Sequence, residues 1–396
     1  MADEQTGTPQ GRKLAVFLDG TWDQATGNTN VWRLKSLCRS DPDSRQLVFY
    51  SAGVGTSFGE DFRGGAFGFG IDDVLTSAYQ WLIETYQEHD ELFIFGFSRG
   101  AFAARSLSGL ISRCGLLKLG APLSIGQLYE RYRRGNAALT IHQLLEADAA
   151  EPASNEERWL KRYSLPVPVK FTGVWDTVGA VATSNAFHAI TGGDHSFLDV
   201  NLRKSQQNIF HALAVDENRK VFDATLLTQY VEGVDLTVPF QSPRELSSVE
   251  QRWFVGSHGN VGGGSYDDLL AQLPLRWLMT KAEQHGLVFR QALDVDEDAP
   301  AGEIDDSFKA FLKGAYALLH AEQRHWRPIG RPPEPRTHTV VHTINETIDA
   351  SVFERWRMDG RYRPQNLVEW AARHKIRIED LKTSCQADDP AKTVPD

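Results

Sequence analysis

Three residues of this 396-residue chain have the types that acyl transfer from an ester requires: a serine, an acid and a histidine. Ser98, Asp176 and His258 each follow a run of apolar residues that predicts a buried strand. In an open α/β sheet, reactive groups gather at the carboxyl ends of the strands. The serine would attack a carbonyl carbon, the histidine would take its proton, and the aspartate would orient the imidazole.

The stretch from Leu92 to Phe102 predicts the nucleophile. Its apolar start runs into Gly-Phe-Ser-Arg-Gly at residues 96–100, and a helical pattern follows at once. A Gly-x-Ser-x-Gly sequence between a strand and a helix is the nucleophile elbow of α/β-hydrolases, whose chain order is serine, acid, histidine. The alternative interpretation is a buried serine in a glycine-rich turn.

Other residues compete for the roles of base and acid. Three more histidines are candidate bases: His188, His195 and His211. His258 is favoured because the glycines at 262–264 let its loop approach a site closely. Two more aspartates are candidate acids: Asp216 and Asp223. We predict that Asp216 ends a helix and belongs to a charge network. For Asp176, the alternative to the catalytic role is to cap the segment that follows it.

An oxyanion hole needs backbone N–H donors where the negative oxygen forms. One is predicted at Arg99, after the nucleophile, and the other at Gly20 or Thr21, after the first predicted strand. A simple turn is the alternative for this second loop. Asp19 and Asp23 would suit a metal-dependent phosphoesterase, but two carboxylates are weak grounds for a metal site. We predict neither metal nor cofactor.

The elements that must position these residues alternate between strand and helix patterns. Buried strands are predicted at residues 13–18, 46–50, 92–95, 169–175 and 251–255, and a late strand at 339–343. Helices are predicted at residues 31–38, 72–88, 202–214 and 269–285. The alternation predicts an α/β-hydrolase-like fold: a mostly parallel central sheet covered by helices on both faces, with helical insertions.

We predict one α/β-hydrolase domain over residues 12–382, between disordered tails at residues 1–11 and 383–396. Within it, residues 116–166 are predicted to form a helical insertion. Residues 285–382 are predicted to form a helical or irregular C-terminal part.

Composition indicates which classes of binding partner and which cellular compartment to expect for this chain. The net charge of −10, with no long Lys/Arg block, argues against nucleic acid as a partner. Three widely spaced cysteines suggest neither a disulfide framework nor a metal site. The polar N-terminus lacks a secretory signal, and no apolar run reaches the roughly 18 residues of a membrane span. We predict a cytoplasmic protein, or one exported without a cleavable signal peptide.

Several further motifs coincide, in order, with those of a known family: residues 17–22, 29–31, 53–56, 96–101, 173–179, 211–219, 253–264 and, at the end, 362–367. By these motifs the chain resembles the uncharacterised α/β-hydrolase domain shared with type VI secretion phospholipase effectors. The resemblance implies hydrolysis of a carboxylic ester, which is a phospholipid acyl ester in the effector branch. It places the catalytic roles on Ser98, Asp176 and His258.

Aromatic residues in two loops are candidates for a substrate pocket or an interfacial lid: Trp22, Phe58, Phe62, Phe67 and Phe69. Core packing beneath the second loop is an equally good interpretation. A lid would favour a lipid substrate and transient contact with a membrane surface. Phospholipid, neutral lipid and small soluble ester stay open as substrates, and a catalytically silent binding module with the same fold stays open as another function class.

Overall fold

The computed structural model describes residues 11–20, 27–53, 69–146, 154–178, 202–231, 244–264, 268–310, 323–330, 334–336 and 339–395. The strands within these ranges are β1 (Lys13–Leu18), β2 (Gln46–Ser51), β3 (Glu91–Phe97), β4 (Leu116–Leu117), β5 (Ser164–Leu165), β6 (Val169–Trp175), β7 (Ile209–Ala214), β8 (Thr228–Val231), β9 (Val249–Phe254), β10 (Glu334–Arg336), β11 (Thr339–Thr343), β12 (Glu346–Ile348) and β13 (Cys385–Gln386). The α-helices are α1 (Asn30–Leu37), α2 (Phe69–Thr85), α3 (Arg99–Cys114), α4 (Ile125–Arg133), α5 (Ile141–Glu146), α6 (Asn155–Tyr163), α7 (His258–Gly262), α8 (Leu269–Gln284), α9 (Ser307–Ala310), α10 (Ala350–Met358) and α11 (Gln365–His374).

Eight of the described strands form a central sheet in the order β2-β1-β3-β6-β7-β9-β12-β13. All neighbours in it are parallel except β12 and β13, which are antiparallel. The chain moves from β1 to β2 on one side and then returns to β3 on the other. The strand order therefore reverses between β1 and β3, and in α/β sheets such a point opens a crevice at the carboxyl ends of the strands.

Helices cover both faces of this sheet, as the alternation of side chains along β1 shows. Leu14, Val16 and Leu18 pack in one buried cluster with α2 and α3. Ala15 and Phe17 point the other way, into a second cluster that includes residues of α1 and α8. The predicted α/β architecture with a mostly parallel sheet is confirmed, because a sheet buried on both sides produces the continuous apolar runs seen in the sequence.

The described part of residues 116–166, the predicted insertion, holds α4, α5 and α6. The short strands β4 and β5 pair antiparallel near the two ends of this stretch. The predicted late strand is also present, as β11. It pairs with β8 and β10 in a small separate sheet.

The helix predicted at residues 202–214 was wrong. Ile209–Ala214 form β7, which lies between β6 and β9, and every residue of it is buried. A strand covered on both faces and a buried helix give the same continuous apolar run, so periodicity alone does not separate them.

The disordered tail predicted at residues 383–396 was also wrong for its described part. Cys385 and Gln386 pair with β12 at the edge of the central sheet, and Cys385 is buried. The Trp370 indole Nε1 donates to the Ala387 carbonyl at 2.7 Å, which fixes the segment further. The other predicted tail, residues 1–11, lies outside the described residues except for its last residue.

Candidate active site

Ser98 lies in the turn between β3 and α3, in a backbone conformation that residues with a Cβ rarely adopt. Its φ is 57° and its ψ is −121°, and its N–H donates to the Trp175 carbonyl of β6 at 3.1 Å. The residue as a whole is 8% exposed. The sharp turn places the hydroxyl at the amino end of a 16-residue helix, where backbone N–H groups favour negative charge.

The two glycines around Ser98 are required by close backbone contacts. A Cβ on Gly96 would lie 2.3 Å from the Gly100 carbonyl oxygen. A Cβ on Gly100 would lie 2.2 Å from the Leu18 carbonyl oxygen at the end of β1. These distances are shorter than any side chain tolerates, so the Gly-x-Ser-x-Gly pattern is what lets β1, β3 and α3 meet at this point.

His258 is the first residue of α7, in the loop that follows β9. Ser257 and Asn260 form a capping box that begins this short helix. The imidazole Nε2 lies 2.9 Å from Ser98 Oγ. The rings of Phe97 and Phe222 lie 4.7 Å and 5.0 Å from the imidazole centroid, so apolar groups surround it.

Asp176 follows β6, and its Oδ2 lies 2.5 Å from Nδ1 of His258. Its φ is 40°, so it shares with Ser98 an unusual backbone conformation. The carboxylate is fully buried. The structure therefore brings Ser98, His258 and Asp176 into one continuous hydrogen-bonded chain, although they lie at the ends of three different strands. An imidazole held in this way can accept the serine proton at Nε2 while Nδ1 keeps its own.

Arg327 contacts the same carboxylate, and the sequence analysis did not identify it. Its Nη1 donates to Asp176 Oδ1 at 2.7 Å and its Nη2 to Oδ2 at 3.0 Å. Burial by itself would raise the pKa of Asp176, but the charge of Arg327 and the hydrogen bonds from His258 and Arg327 hold that pKa well below its ordinary value. The acid is thus ionised throughout the neutral range.

The described competitors for the catalytic roles have other partners. His211, in β7, accepts a hydrogen bond from the Thr177 N–H at its Nε2 and does not contact Ser98. Burial, with the nearby charge of Arg105, lowers the pKa of His211 to about 3. His188 and His195 lie outside the described residues.

Asp216 lies just after β7 rather than at the end of the predicted helix. Its Oδ2 accepts from the Gly256 N–H at 2.7 Å and from the Tyr362 hydroxyl at 3.1 Å. Burial raises the pKa of Asp216 to about 6. The neighbouring Glu217 forms a two-bond ion pair with Arg219. Asp216 therefore connects the loop that carries His258 to the C-terminal segment that carries Tyr362.

The other alternative acid, Asp223, lies near Arg327 and His325.

The predicted oxyanion donors are only partly described. Arg99 begins α3, next to the nucleophile, as the elbow requires. The Gly20 N–H donates to Oδ1 of Asp19 at 3.0 Å, and Oδ2 of Asp19 accepts from the hydroxyls of Thr29 and Tyr50. Thr21 lies outside the described residues, as does Asp23, the second carboxylate of the alternative metal site.

The predicted pocket or lid falls largely outside the described residues as well. This holds for Trp22, Phe58, Phe62 and Phe67. Phe69 is the first residue of α2, so the helix begins three residues earlier than predicted.

With this geometry in hand, comparison with known proteins gives a clear result. Residues 12–281 match the model of the family described as the type VI secretion system phospholipase effector Tle1-like catalytic domain. The matched range includes Ser98, Asp176 and His258. The chain belongs to this Tle1-like family.

Three individual proteins that are similar to this Tle1-like chain share 25% identity with it or less. An uncharacterised protein of Saccharomyces cerevisiae is 25% identical over an alignment of 237 residues, which covers 55% of this chain and 33% of the yeast protein. A crystal structure of an uncharacterised Pseudomonas aeruginosa protein is 17% identical with a TM-score of 0.41, and covers 73% of this chain and 49% of that one. The Tle1 effector bound to the VgrG spike is 16% identical with a TM-score of 0.35, and covers 65% of this chain and 52% of that one. The chain thus spans between a third and about half the length of these proteins.

Among the described helices of this Tle1-like chain, none combines the length and the apolar character needed to cross a bilayer.

Proposed function

We propose that the chain is a serine hydrolase of the α/β-hydrolase fold that cleaves carboxylic esters, with lipid or phospholipid acyl esters as substrates. Ser98 is the nucleophile, His258 the general base and acid, and Asp176 the residue that orients the imidazole. The observation that carries this proposal is the hydrogen-bonded chain from Ser98 Oγ through both nitrogens of His258 to Asp176 Oδ2. A buried chain of this kind activates a hydroxyl that would otherwise be a weak nucleophile.

The reaction has two halves. Ser98 Oγ forms a bond to the carbonyl carbon of the ester while its proton moves to Nε2 of His258. The C–O bond to the alcohol then breaks, and the alcohol leaves with that proton, so that an acyl-serine remains. Water next gives a proton to Nε2 and attacks the acyl carbon. The proton returns to Ser98 Oγ as the carboxylic acid leaves.

The negative oxygen of each tetrahedral intermediate needs fixed donors. We assign one to the Arg99 N–H, which follows the nucleophile at the start of α3. The loop after β1 would supply the other, from Thr21, or from Gly20 once its N–H turns from Asp19 Oδ1 to the substrate. The close approach of Gly100 to the Leu18 carbonyl supports this pairing, because it holds the end of β1 against the first turn of α3.

The fold supports the same reaction. Serine, acid and histidine follow β3, β6 and β9 in that chain order, which is the order of α/β-hydrolases. Ser98 lies beside the reversal of strand order between β3 and β1, where open α/β sheets bind their ligands.

Family membership favours lipid as the substrate, because the matching model describes a phospholipase effector catalytic domain. Transient contact with a membrane surface would then deliver the substrate, with Trp22, Phe58, Phe62, Phe67 and Phe69 as pocket or lid residues. Membership in an effector family also favours export without a cleavable signal peptide over a purely cytoplasmic location.

The direct test is release of fatty acid from phospholipid vesicles, triglyceride emulsions and soluble nitrophenyl esters, each assayed with wild type and Ser98→Ala. We expect hydrolysis of phospholipid, and a fall in kcat/KM of about 10³-fold or more in Ser98→Ala. Hydrolysis of nitrophenyl esters alone would contradict the lipid assignment. A folded wild-type protein that hydrolyses nothing would favour the binding module.

A further inference from the structure

Arg327 lies beyond residues 12–281, the range that matches the family model, yet its side chain reaches the catalytic centre. The side chain is 1% exposed, and its two terminal nitrogens bind the two oxygens of Asp176. Paired parallel hydrogen bonds between a guanidinium and a carboxylate are both stronger and more directional than a single bond.

Four hydrogen-bond donors among the described residues contact the carboxylate of Asp176. Oδ1 accepts from Arg327 Nη1 at 2.7 Å and from the Ala214 N–H at 3.1 Å. Oδ2 accepts from Arg327 Nη2 at 3.0 Å and from His258 Nδ1 at 2.5 Å. A carboxylate offers about four acceptor positions. It therefore cannot rotate away from His258 without losing bonds to Arg327.

Arg327 is itself fixed from three directions. Its Nη1 also donates to the Ala214 carbonyl at 3.1 Å, and its Nη2 donates to the Phe222 carbonyl. Its own carbonyl accepts from the Asn366 side chain at 3.0 Å, and that amide also binds the Val215 carbonyl. The C-terminal segment around Asn366 thus holds the arginine against the triad.

The charge of Arg327 opposes the cost of burying Asp176. Burial is the largest single influence on this carboxyl and would raise its pKa, whereas Arg327 and His258 lower it. Other titratable or charged groups among the described residues that act on the carboxylate or on its charged neighbours are His211, Glu217, Arg219, Asp223, His325 and Arg105. Among these, none donates to the Asp176 carboxylate. Within the described part of the chain, Arg327 is therefore the one arginine or lysine that hydrogen-bonds to it.

We propose that Arg327 is a positioning residue of this active site, which keeps the Asp176 carboxylate ionised and fixes the orientation of both its oxygens toward His258. The inference rests on the proposed hydrolase function. It also extends the catalytic unit of this chain past the family-matched residues into the C-terminal segment.

The test is the pH dependence of kcat/KM for Arg327→Gln and Arg327→Lys on the best substrate of the wild type. Glutamine removes a buried positive charge beside the carboxylate, so the Asp176–His258 pair takes up a proton more readily. The acid limb of the pH profile of kcat/KM reports protonation of that pair and moves up by about one pH unit or more. Lysine keeps the charge but lacks the planar fork. We expect its acid limb to move by less than about half a pH unit, and its kcat to fall about tenfold with KM little changed.

Arg252→Gln is the matched control. Arg252 is also 1% exposed and ion-paired, but with Glu250 at 2.7 Å rather than with the triad. We expect this variant to lose stability, as loss of a buried ion-pair partner does, while the acid limb stays in place.

The outcomes separate the two proposals. An inactive, folded wild type would overturn the proposed function. An active wild type with an unmoved acid limb in folded Arg327→Gln would overturn only the role of Arg327. Should Arg327→Gln fail to fold, Arg327→Lys decides: a lowered kcat at unchanged KM supports the positioning role, and a wild-type kcat contradicts it.

Discussion

Ser98 and Asp176 both hold backbone conformations that cost free energy. Their φ angles are 57° and 40°, on the positive side that residues with a Cβ avoid. Each such residue costs about 1–3 kcal/mol, and it persists only where its surroundings enforce the geometry. Here the surroundings are the neighbouring strand ends. Two of the three residues of the proposed triad thus carry local strain, and their hydroxyl and carboxylate lie on opposite sides of one imidazole.

His211 is a second residue whose surroundings can be tested. It is fully buried, and burial lowers its pKa to about 3. The unfolded chain binds a proton at this side chain below about pH 6.5, whereas the folded protein does not until about pH 3. The unfolded state thus binds more protons across this window, and the free energy of unfolding falls as the pH falls.

We predict that His211→Gln makes the acid loss of stability less steep. The difference in slope should approach 1.4 kcal/mol per pH unit, about one proton, between about pH 6 and about pH 4. Denaturant unfolding of wild type and variant at a series of pH values measures it. His142→Gln, at an exposed position of α5, controls for loss of a histidine elsewhere. An unchanged slope in His211→Gln would contradict the assigned protonation state.

At the level of elements, the first turn of α3 lies against the end of β1. Gly100 makes that approach possible, since its Cα faces the carbonyl oxygens of Leu18 and Asp19. Gly126 is likewise the second residue of its helix, α4, but a Cβ there would meet only Ser124 Oγ at 3.8 Å. The two positions are therefore matched, and the backbone contacts require a glycine only at position 100.

We predict opposite effects of alanine at these two positions. Gly100→Ala should lower the free energy of unfolding by at least about 2 kcal/mol, because backbone atoms must move apart, and should reduce turnover by displacing Ser98. Gly126→Ala should raise it by about 0.5–1 kcal/mol, since alanine favours a helix more than glycine does. Urea unfolding and ester hydrolysis measure both effects. Equal effects of the two substitutions would show that β1 and α3 do not meet as described.

Several elements were predictable because their patterns are local. The residues of β1 and β6 form apolar runs that predict strands with the bounds later found, and α8 was predicted to within one residue. The strand β7 was misassigned because burial on both faces hides its period. The short strands β12 and β13 went unrecognised, since three and two residues carry no period at all.

Over the whole molecule, the site depends on contacts between distant parts of the chain. The ends of β3, β6 and β9 supply the residues of the proposed triad, β1 supplies the neighbouring loop, and the C-terminal segment supplies Arg327. The proximity of Ser98, Asp176 and His258 was predictable because each follows a buried strand and the serine has a recognisable turn. Arg327 was not, because no local pattern marks it and its partner Asp176 lies 151 residues earlier.

The C-terminal segment also completes the core around the histidine loop. Trp253 of β9 packs in one buried cluster with Ile348, Val352, Phe353 and Trp370. Its indole Nε1 donates to Glu346 of β12 at 2.9 Å. The residues that follow the family-matched range therefore support the strand that precedes His258, as well as the carboxylate of Asp176.

The central claim is that Ser98 is an activated nucleophile, and covalent labelling with a fluorophosphonate probe tests it most directly. We predict about one label per folded chain, mapped by mass spectrometry to the peptide that contains Ser98. Ser98→Ala should take up none, and heat-denatured wild type should take up none either. Absence of label on the folded wild type, or equal labelling of Ser98→Ala, would contradict the claim.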